Sequence, residues 1–362
     1  MPAWIDRTET LLDFLSRDGA VLGLDTEFMR TDTFSPKLAL VQLEIDGEIA
    51  LVDPLADFDT AALATRLSDP ATLSLMHSAG EDLDALAPMV PAGLGRLFDT
   101  QIAAAFAGLG YGLGYQKLVL ALTGIEVDKG ETRSDWLRRP LSASQLAYAA
   151  QDVVHLPFVH ARLGERLAER GYAGWHAEDC QRMLDRARQR EIDPEPQTAY
   201  RMAAEWPREH QARLRRALLW REHQARALDT PRAWLIDDPR LLDFAQHPPR
   251  DLTDLYERGR GLRALRKAER AGLFDLLAAP LEPAELDFAP IPPAATAQER
   301  KAISALKEVV VARAAALDLP EGLLCARRHL ETLWQTRHWP GALDGWRREV
   351  LHDAVMTRLA DL

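Results

Sequence analysis

Four carboxylates and one phenol in the first half of the chain are of the right types and spacing to do chemistry. Asp25 and Glu27 follow the apolar run Val21–Leu24 and lie two residues apart, so on an extended backbone both side chains project from one face. Asp82 closes the segment His77-Ser78-Ala79-Gly80-Glu81-Asp82, where the apolar run Leu73–Met76 gives way to a helical pattern whose dipole favours an acid. Tyr148 and Asp152 stand four apart on a helical segment, which turns phenol and carboxylate in the same direction. Singly, each pattern is ordinary: a polar strand end, an acid near a helix start, an amphipathic helix with an inward Tyr. Together they are how distant segments assemble a hard-metal site. Carboxylate oxygens suit Mg²⁺ or Mn²⁺, and this half offers no His and Cys at zinc-ligand spacing.

The elements that must position these residues divide the chain in two. Val21–Leu24, Leu38–Leu43, Ile49–Val52 and Leu73–Met76 read as short strands, followed by helical spacing around 81–90, 99–107, 115–122 and 142–170. Ser142, three residues before Gln145, forms a capping-box pattern at the start of the last of these. This predicts an α/β domain whose sheet comes mainly from the first 80 residues. A charged helix then runs to about residue 190, and EIDPEPQTAY reads as a linker. Beyond it the segments 207–228, 239–246, 251–257, 261–277, 298–316, 321–335 and 342–360 read as helices. Ala227-Leu228-Asp229-Thr230-Pro231 recurs as Ala316-Leu317-Asp318-Leu319-Pro320, with Leu235 matched by Leu324 and Leu241 by Leu330, all at an offset of 89 residues. The repeat predicts two small helical bundles.

Composition bounds the class. With 362 residues, 47% hydrophobic and 27% charged, the chain has room for two or three globular domains, and no apolar run reaches the length needed to span a bilayer. Two cysteines, Cys180 and Cys325, provide no disulfide framework, and MPAWIDRTET has neither the basic nor the apolar stretch of a secretion signal, so a cytoplasmic location is expected. The net charge of −11 is unevenly spread. Residues 1–176 carry 14 basic and 25 acidic side chains, residues 177–362 carry 30 of each, and 38 of the 44 basic residues are Arg. A polyanionic substrate is therefore not excluded. The acidic half would need metal to meet it, and the Arg-rich helices could hold phosphates.

The order Asp25-x-Glu27, Asp82, Tyr148-x-x-x-Asp152 resembles the DEDD 3′→5′ exonucleases, in the branch with tyrosine in the last motif. The histidine branch places its histidine where this chain has Ala147. Flanking sequence is similar to the ribonuclease D family: Leu24-Asp25-Thr26-Glu27-Phe28, His77-x-x-x-Glu81-Asp82-Leu83, Phe98-Asp99-Thr100-Gln101, and the long stretch Asp128-Lys129-Gly130-Glu131-Thr132-Arg133-Ser134-Asp135-Trp136-Leu137-x-Arg139-Pro140-Leu141. The helical half resembles the HRDC module, most clearly in Trp220-Arg221-Glu222 and Ala225-Arg226-x-x-Asp229-x-Pro231, whereas the second copy has Val309-Val310-Val311 in place of Trp-Arg-Glu.

The resemblance implies an α/β RNase H-like exonuclease domain with a mixed sheet over 1–175, a helix and linker over 176–205, an HRDC domain over 206–286 and a divergent HRDC-like bundle over 287–362. It implies two divalent ions, Mg²⁺ or Mn²⁺, held by Asp25, Glu27, Asp82 and Asp152, with Tyr148 orienting the attacking water. A phenol with a reference pKa of about 10 is a poor base at neutral pH. Thr26, Phe28, His77, Lys129 and Arg133 are candidate substrate contacts, and Asp99 and Asp135 are expected to cap helices or anchor basic groups. The expected substrate is RNA with a free 3′ end, such as tRNA precursors, with no membrane and no obligate protein partner. A DNA 3′-exonuclease and a non-catalytic RNA-binding module on the same fold are the alternatives. Gly110-Tyr111-Gly112-Leu113-Gly114 lacks the lysine and serine of a phosphate-cradling loop.

Overall fold

A computed structural model describes every residue except Met1, Asp18, Lys129, Thr132, Arg133 and Arg190. The chain forms two compact units. One comprises Met1–Met29, Leu38–Gln189 and Thr296–Leu362, the other Arg30–Lys37 and Arg190–Ala295.

Among the described residues of the first unit, strands β1 (Ala3–Ile5), β2 (Val21–Met29), β3 (Lys37–Ile45), β4 (Glu48–Val52), β5 (Leu73–Met76) and β6 (Arg96–Asp99) form one sheet in the order β1-β4-β3-β2-β5-β6. β3 and β4 pair antiparallel, while β1–β4, β2–β5 and β5–β6 pair parallel, so the sheet is mixed as expected. The helices of this region are α1 (Thr8–Leu15), α2 (Ala61–Ser68), α3 (Gly80–Leu86), α4 (Thr100–Phe106), α5 (Tyr115–Thr123), α6 (Ala143–Val154), α7 (Leu156–Arg170) and α8 (Ala173–Gln189). The architecture is that of an RNase H-like α/β domain.

Two local features bring the last helix pair to the sheet. Ser142 Oγ accepts from Gln145 N at 3.1 Å while Ser142 N donates to Gln145 Oε1 at 2.9 Å, the predicted capping box at the start of α6. The single helix expected over 142–170 is broken at His155, because Pro157 in the first turn of α7 has no N–H to donate. At the centre of β2, a Cβ on Gly23 would lie 3.0 Å from Glu44 Cβ and 3.3 Å from the Val153 carbonyl. A glycine lets the backbone of α6 approach the strand this closely without crowding either neighbour.

The second unit holds α9 (Arg208–Ala227), α10 (Arg232–Leu235), α11 (Asp238–Gln246), α12 (Leu252–Arg258) and α13 (Lys267–Ala278). The first unit ends in α14 (Ala297–Leu317), α15 (Glu321–Leu324), α16 (Arg327–Thr336) and α17 (Trp346–Ala360). The segment expected as one helix over 321–335 is interrupted at Cys325, which is extended. That expected over 261–277 begins only at Lys267.

The repeat is structural. The starts of α9, α10 and α11 recur 89 residues later as those of α14, α15 and α16. Both copies close their long helix through a left-handed aspartate, Asp229 (φ 43°) and Asp318 (φ 51°). The closing bonds match as well: Thr230 N donates to Ala225 O and Leu319 N to Ala314 O, each at 3.0 Å. Each aspartate then grips something else. Asp229 Oδ1 accepts from Phe34 N and Ser35 N at 3.1 and 3.0 Å, with the Phe34 ring beneath Arg232. Asp318 Oδ2 accepts from Arg170 at 2.9 Å.

The copies diverge where their environments differ. Arg221 is buried and donates to Asp238 at 2.6 Å and to the Tyr200 hydroxyl at 3.1 Å. Its counterpart Val310 is buried in a continuous apolar core with Phe106, Val159 and Leu163 of the α/β region and Leu306, Leu324 and Trp346 of the second copy. A buried guanidinium without a carboxylate would be costly there, so the polar Trp-Arg-Glu pattern gives way to valines. No helix among the described residues is long and apolar enough to cross a membrane.

Candidate active site

The strand that carries Asp25 and Glu27 does not end at Leu24 as its apolar run suggests; β2 continues to Met29, and both carboxylates sit within it. Alternation along β2 buries Leu22, Leu24 and Thr26 and leaves Asp25 and Glu27 on the opposite, partly open face. Neighbouring β5 ends in the turn His77-Ser78, with Ser78 in the left-handed region (φ 61°), and α3 then presents Asp82. Asp99 fixes this turn: its Oδ2 accepts from Ala79 N at 2.8 Å while Oδ1 caps α4 through Gln101 N and Ile102 N. Asp135, the other acid expected to cap or anchor, accepts from Leu137 N at 3.1 Å.

Asp152 and Tyr148 come from α6. The segment before this helix is clamped to the sheet by Arg139, which donates to Asp53 Oδ2 at 2.8 Å and Oδ1 at 2.6 Å, and to the carbonyls of Ala39 and Trp136. Trp136, itself buried, brings its ring centroid within 6.0 Å of Tyr148.

The four carboxylates feel one another. Burial first, then the charges of Asp82, Asp152 and Glu27, hold the Asp25 carboxyl well above the usual carboxylate range, against one lowering hydrogen bond from the Thr26 backbone. Burial and the charges of Asp152 and Asp82 push Glu27 up to about 8, and burial and Asp82 push Asp152 up to about 7. Asp82 is raised to about 6 by burial, moderated by the hydroxyl of Thr26. Among the described residues no Lys or Arg pairs with any of the four. The cluster has an unmatched negative charge on hard oxygen donors, which is what a divalent cation would satisfy. Among the described residues no three His, Cys, Asp or Glu side chains have already closed into a ligand cage.

A model of the 3′-5′ exonuclease family matches residues 2–168. The ribonuclease D of Xanthomonas oryzae pv. oryzae is 45% identical over 361 residues, covering 99% of each chain. This chain belongs to the ribonuclease D family. A Shewanella ribonuclease D is 34% identical over 92% of this chain and 88% of its own. The crystal structure of Escherichia coli RNase D, described as an exoribonuclease involved in structured RNA processing, matches with a TM-score of 0.85 and 27% identity over 100% of this chain and 99% of that one. The chain is accordingly a hydrolase of the 3′→5′ exoribonuclease class, within a family whose exonucleases generally use divalent metals.

Around this ribonuclease D cluster the remaining candidates fall unevenly. Thr26 is buried and its hydroxyl donates to Asp82 Oδ1 at 2.5 Å, so only its backbone is left for a substrate. Phe28 is half-buried on β2. His77 is half-buried; its Nδ1 lies 2.9 Å from Thr100 Oγ1, its ring is 5.5 Å from that of Tyr115, and burial lowers its pKa. Lys129 and Arg133 lie outside the described residues. One neighbour was missed from the sequence. Tyr115 opens α5, buries its phenol beside Asp152 and Asp25, and donates to the Gln151 carbonyl at 3.2 Å. Its signal was the glycine-rich loop just before it, set aside because it is no phosphate cradle.

Proposed function

We propose that this chain trims the 3′ ends of RNA, tRNA precursors among them, releasing nucleoside 5′-monophosphates with the help of two divalent ions, Mg²⁺ or Mn²⁺. The observation that carries the reading is the mutual electrostatic coupling of Asp25, Glu27, Asp82 and Asp152 without a paired cation among the described residues. In this reading those four carboxylates hold the ions. Bound there, divalent cations would supply Lewis acidity toward both the attacking and the leaving oxygen of an in-line displacement.

The chain's own groups do the rest. Tyr148, one helical turn before Asp152, orients the attacking water as a neutral phenol. The Thr26 hydroxyl keeps Asp82 ionised against its burial. Phe28, the Thr26 backbone and His77 line the place of the terminal nucleotide, and Lys129 and Arg133 are proposed to meet the backbone behind it. The domain reading is 1–175 for the exonuclease, a helix and linker over 176–205, and HRDC-type copies over 206–286 and 287–362; the matched element boundaries and identical helix closures support two copies.

Replacing Asp25 or Asp152 by Asn tests the assignment. Each variant is expected to keep the fold, judged by its circular dichroism and melting transition, and to lose release of mononucleotides from a 3′-extended tRNA. Full activity in either variant would remove the residue from the site.

A further inference from the structure

Within the first unit, α8, the loop Leu109–Gly114 and the second helical copy enclose a cleft of about 650 Å³ whose guanidinium groups come from three elements: Arg182 and Arg186 from α8, Arg328 from α16 and Arg347 from α17. Arg182 is held by Glu178 and Arg347 by Asp179. Two acids also line it, and both are occupied. Asp179 takes both Arg347 guanidinium nitrogens at 2.5 and 2.8 Å and the Trp346 indole at 3.0 Å, while Asp185 Oδ1 accepts from Gln181 and Arg188 at 2.8 and 3.2 Å. Arg186 and Arg328, both exposed, form no ion pair among the described residues. The local field is positive: burial first, and then Arg328, Arg347 and Arg186, lower the pKa of His329. The rim is aromatic. Tyr111 is 62% exposed, and its ring lies over Gly322, where a Cβ would come within 3.0 Å of Tyr Cε1.

The loop that rims the cleft is hydrogen-bonded toward both the cleft wall and the carboxylate-bearing helix α6. Gln101 in the cleft wall donates to the Leu113 carbonyl at 3.2 Å, and two residues later Tyr115 donates to the carbonyl preceding Asp152. The loop that carries Tyr111 thus touches the cleft on one side and, through Tyr115, the helix of Asp152 on the other, while Arg186 and Arg328 have no ion-pair partner among the described residues. Arg suits phosphate, and an exposed phenol gives a base a stacking face.

We propose that this cleft binds backbone phosphates of the RNA upstream of the 3′-terminal nucleotide, with Arg186 and Arg328 as the phosphate contacts and Tyr111 as a stacking platform. The second helical copy then serves substrate binding as well as packing. The inference rests on the exoribonuclease reading above.

Binding of a 5′-fluorescein-labelled, 3′-extended tRNA to the full chain in EDTA, where no hydrolysis competes, tests it as a function of salt. Losing two contacts at about 0.7 in slope each lowers the slope of log K against log salt by roughly 1.4, which is roughly a 25-fold loss of affinity at 0.1 M salt. The Arg186→Ala/Arg328→Ala double variant is expected to show that loss, Arg186→Lys/Arg328→Lys to retain the wild-type slope, and Tyr111→Ala to weaken binding without changing the slope. Melting transitions that coincide with wild type keep the comparison one of binding. An unchanged affinity and slope in the double Ala variant would overturn the proposal, as would loss of 5′-AMP binding with RNA binding intact, since the cleft would then be a site for free nucleotides. A wild-type chain that neither binds nor shortens RNA would instead count against the exoribonuclease reading.

Discussion

The Thr26 hydroxyl donates to Asp82 Oδ1 at 2.5 Å, tying a strand residue to a carboxylate 56 positions away at the start of α3. Thr26 stands between Asp25 and Glu27 but points to the other side of β2, so the bond links the two segments that carry most of the cluster. Burial raises the Asp82 pKa and this donor lowers it. Thr26→Val keeps the shape and removes the donor. The acid limb of the kcat/KM profile is expected to move to higher pH, with a stability loss of about 1–3 kcal/mol in urea unfolding. A superimposable pH profile would show that the hydroxyl does not tune Asp82.

Arg139 and Asp53 form a bidentate pair with side chains only 23% and 8% exposed. Removing one partner leaves the other charge buried, so Arg139→Ala is expected to cost about 3–5 kcal/mol. Arg139→Lys should recover little of this, because an ammonium cannot reproduce the forked contact or all the carbonyl bonds. Urea midpoints of the two variants check this. Since the clamp holds the approach to α6, turnover should fall more than the fraction unfolded explains.

The coupled acids also set a pH dependence of stability. Their folded pKa values lie above those of the unfolded chain, so their contribution is fully present below about pH 4 and is lost as pH rises through about 6 to 8. In EDTA the difference in Tm between wild type and Asp25→Asn should therefore grow in favour of the variant from pH 5 to pH 8. Added Mn²⁺ or Mg²⁺ should reverse that trend in the wild type alone, because the cation binds the ionised native cluster. Thermal melts across this range measure it.

The divergence of the two helical copies predicts an asymmetry. Val310→Arg places the first copy's guanidinium in an apolar core, and a loss above about 4 kcal/mol is expected. Arg221→Ala removes a network whose Asp238 partner is 56% exposed, and about 1–3 kcal/mol is expected. Chemical denaturation of both variants decides it.

Much of this was legible in the residues. β5 matches its expected Leu73–Met76 limits, and β3 and β4 differ from expectation by one or two residues, because their apolar runs face a core on both sides. β2 runs beyond its expected end for the opposite reason: hydropathy stops at Asp25, but a strand with a polar site on one face continues through its acids. β1 spans three residues, too short for periodicity to register, and β6 has only Leu97 and Phe98 between Arg96 and Asp99, too short an apolar run to stand out. The repeat at 89 residues was visible because a left-handed aspartate and its helix closure need a particular sequence. That the second copy shares a core with the α/β region was not, although Val309–Val311 marked where an apolar partner had replaced a polar one. Nor could spacing alone reveal Tyr115, Gly23 or the Arg139–Asp53 clamp, since each depends on segments meeting in space.

The most direct test of the central claim is a time course of purified protein on a 3′-extended tRNA with Mg²⁺, Mn²⁺ or EDTA, with single-stranded DNA alongside. Stepwise loss of 5′-mononucleotides from the RNA 3′ end, present with metal and absent in EDTA, is the predicted result. Internal cuts, shortening from the 5′ end, or undiminished activity in EDTA would contradict it.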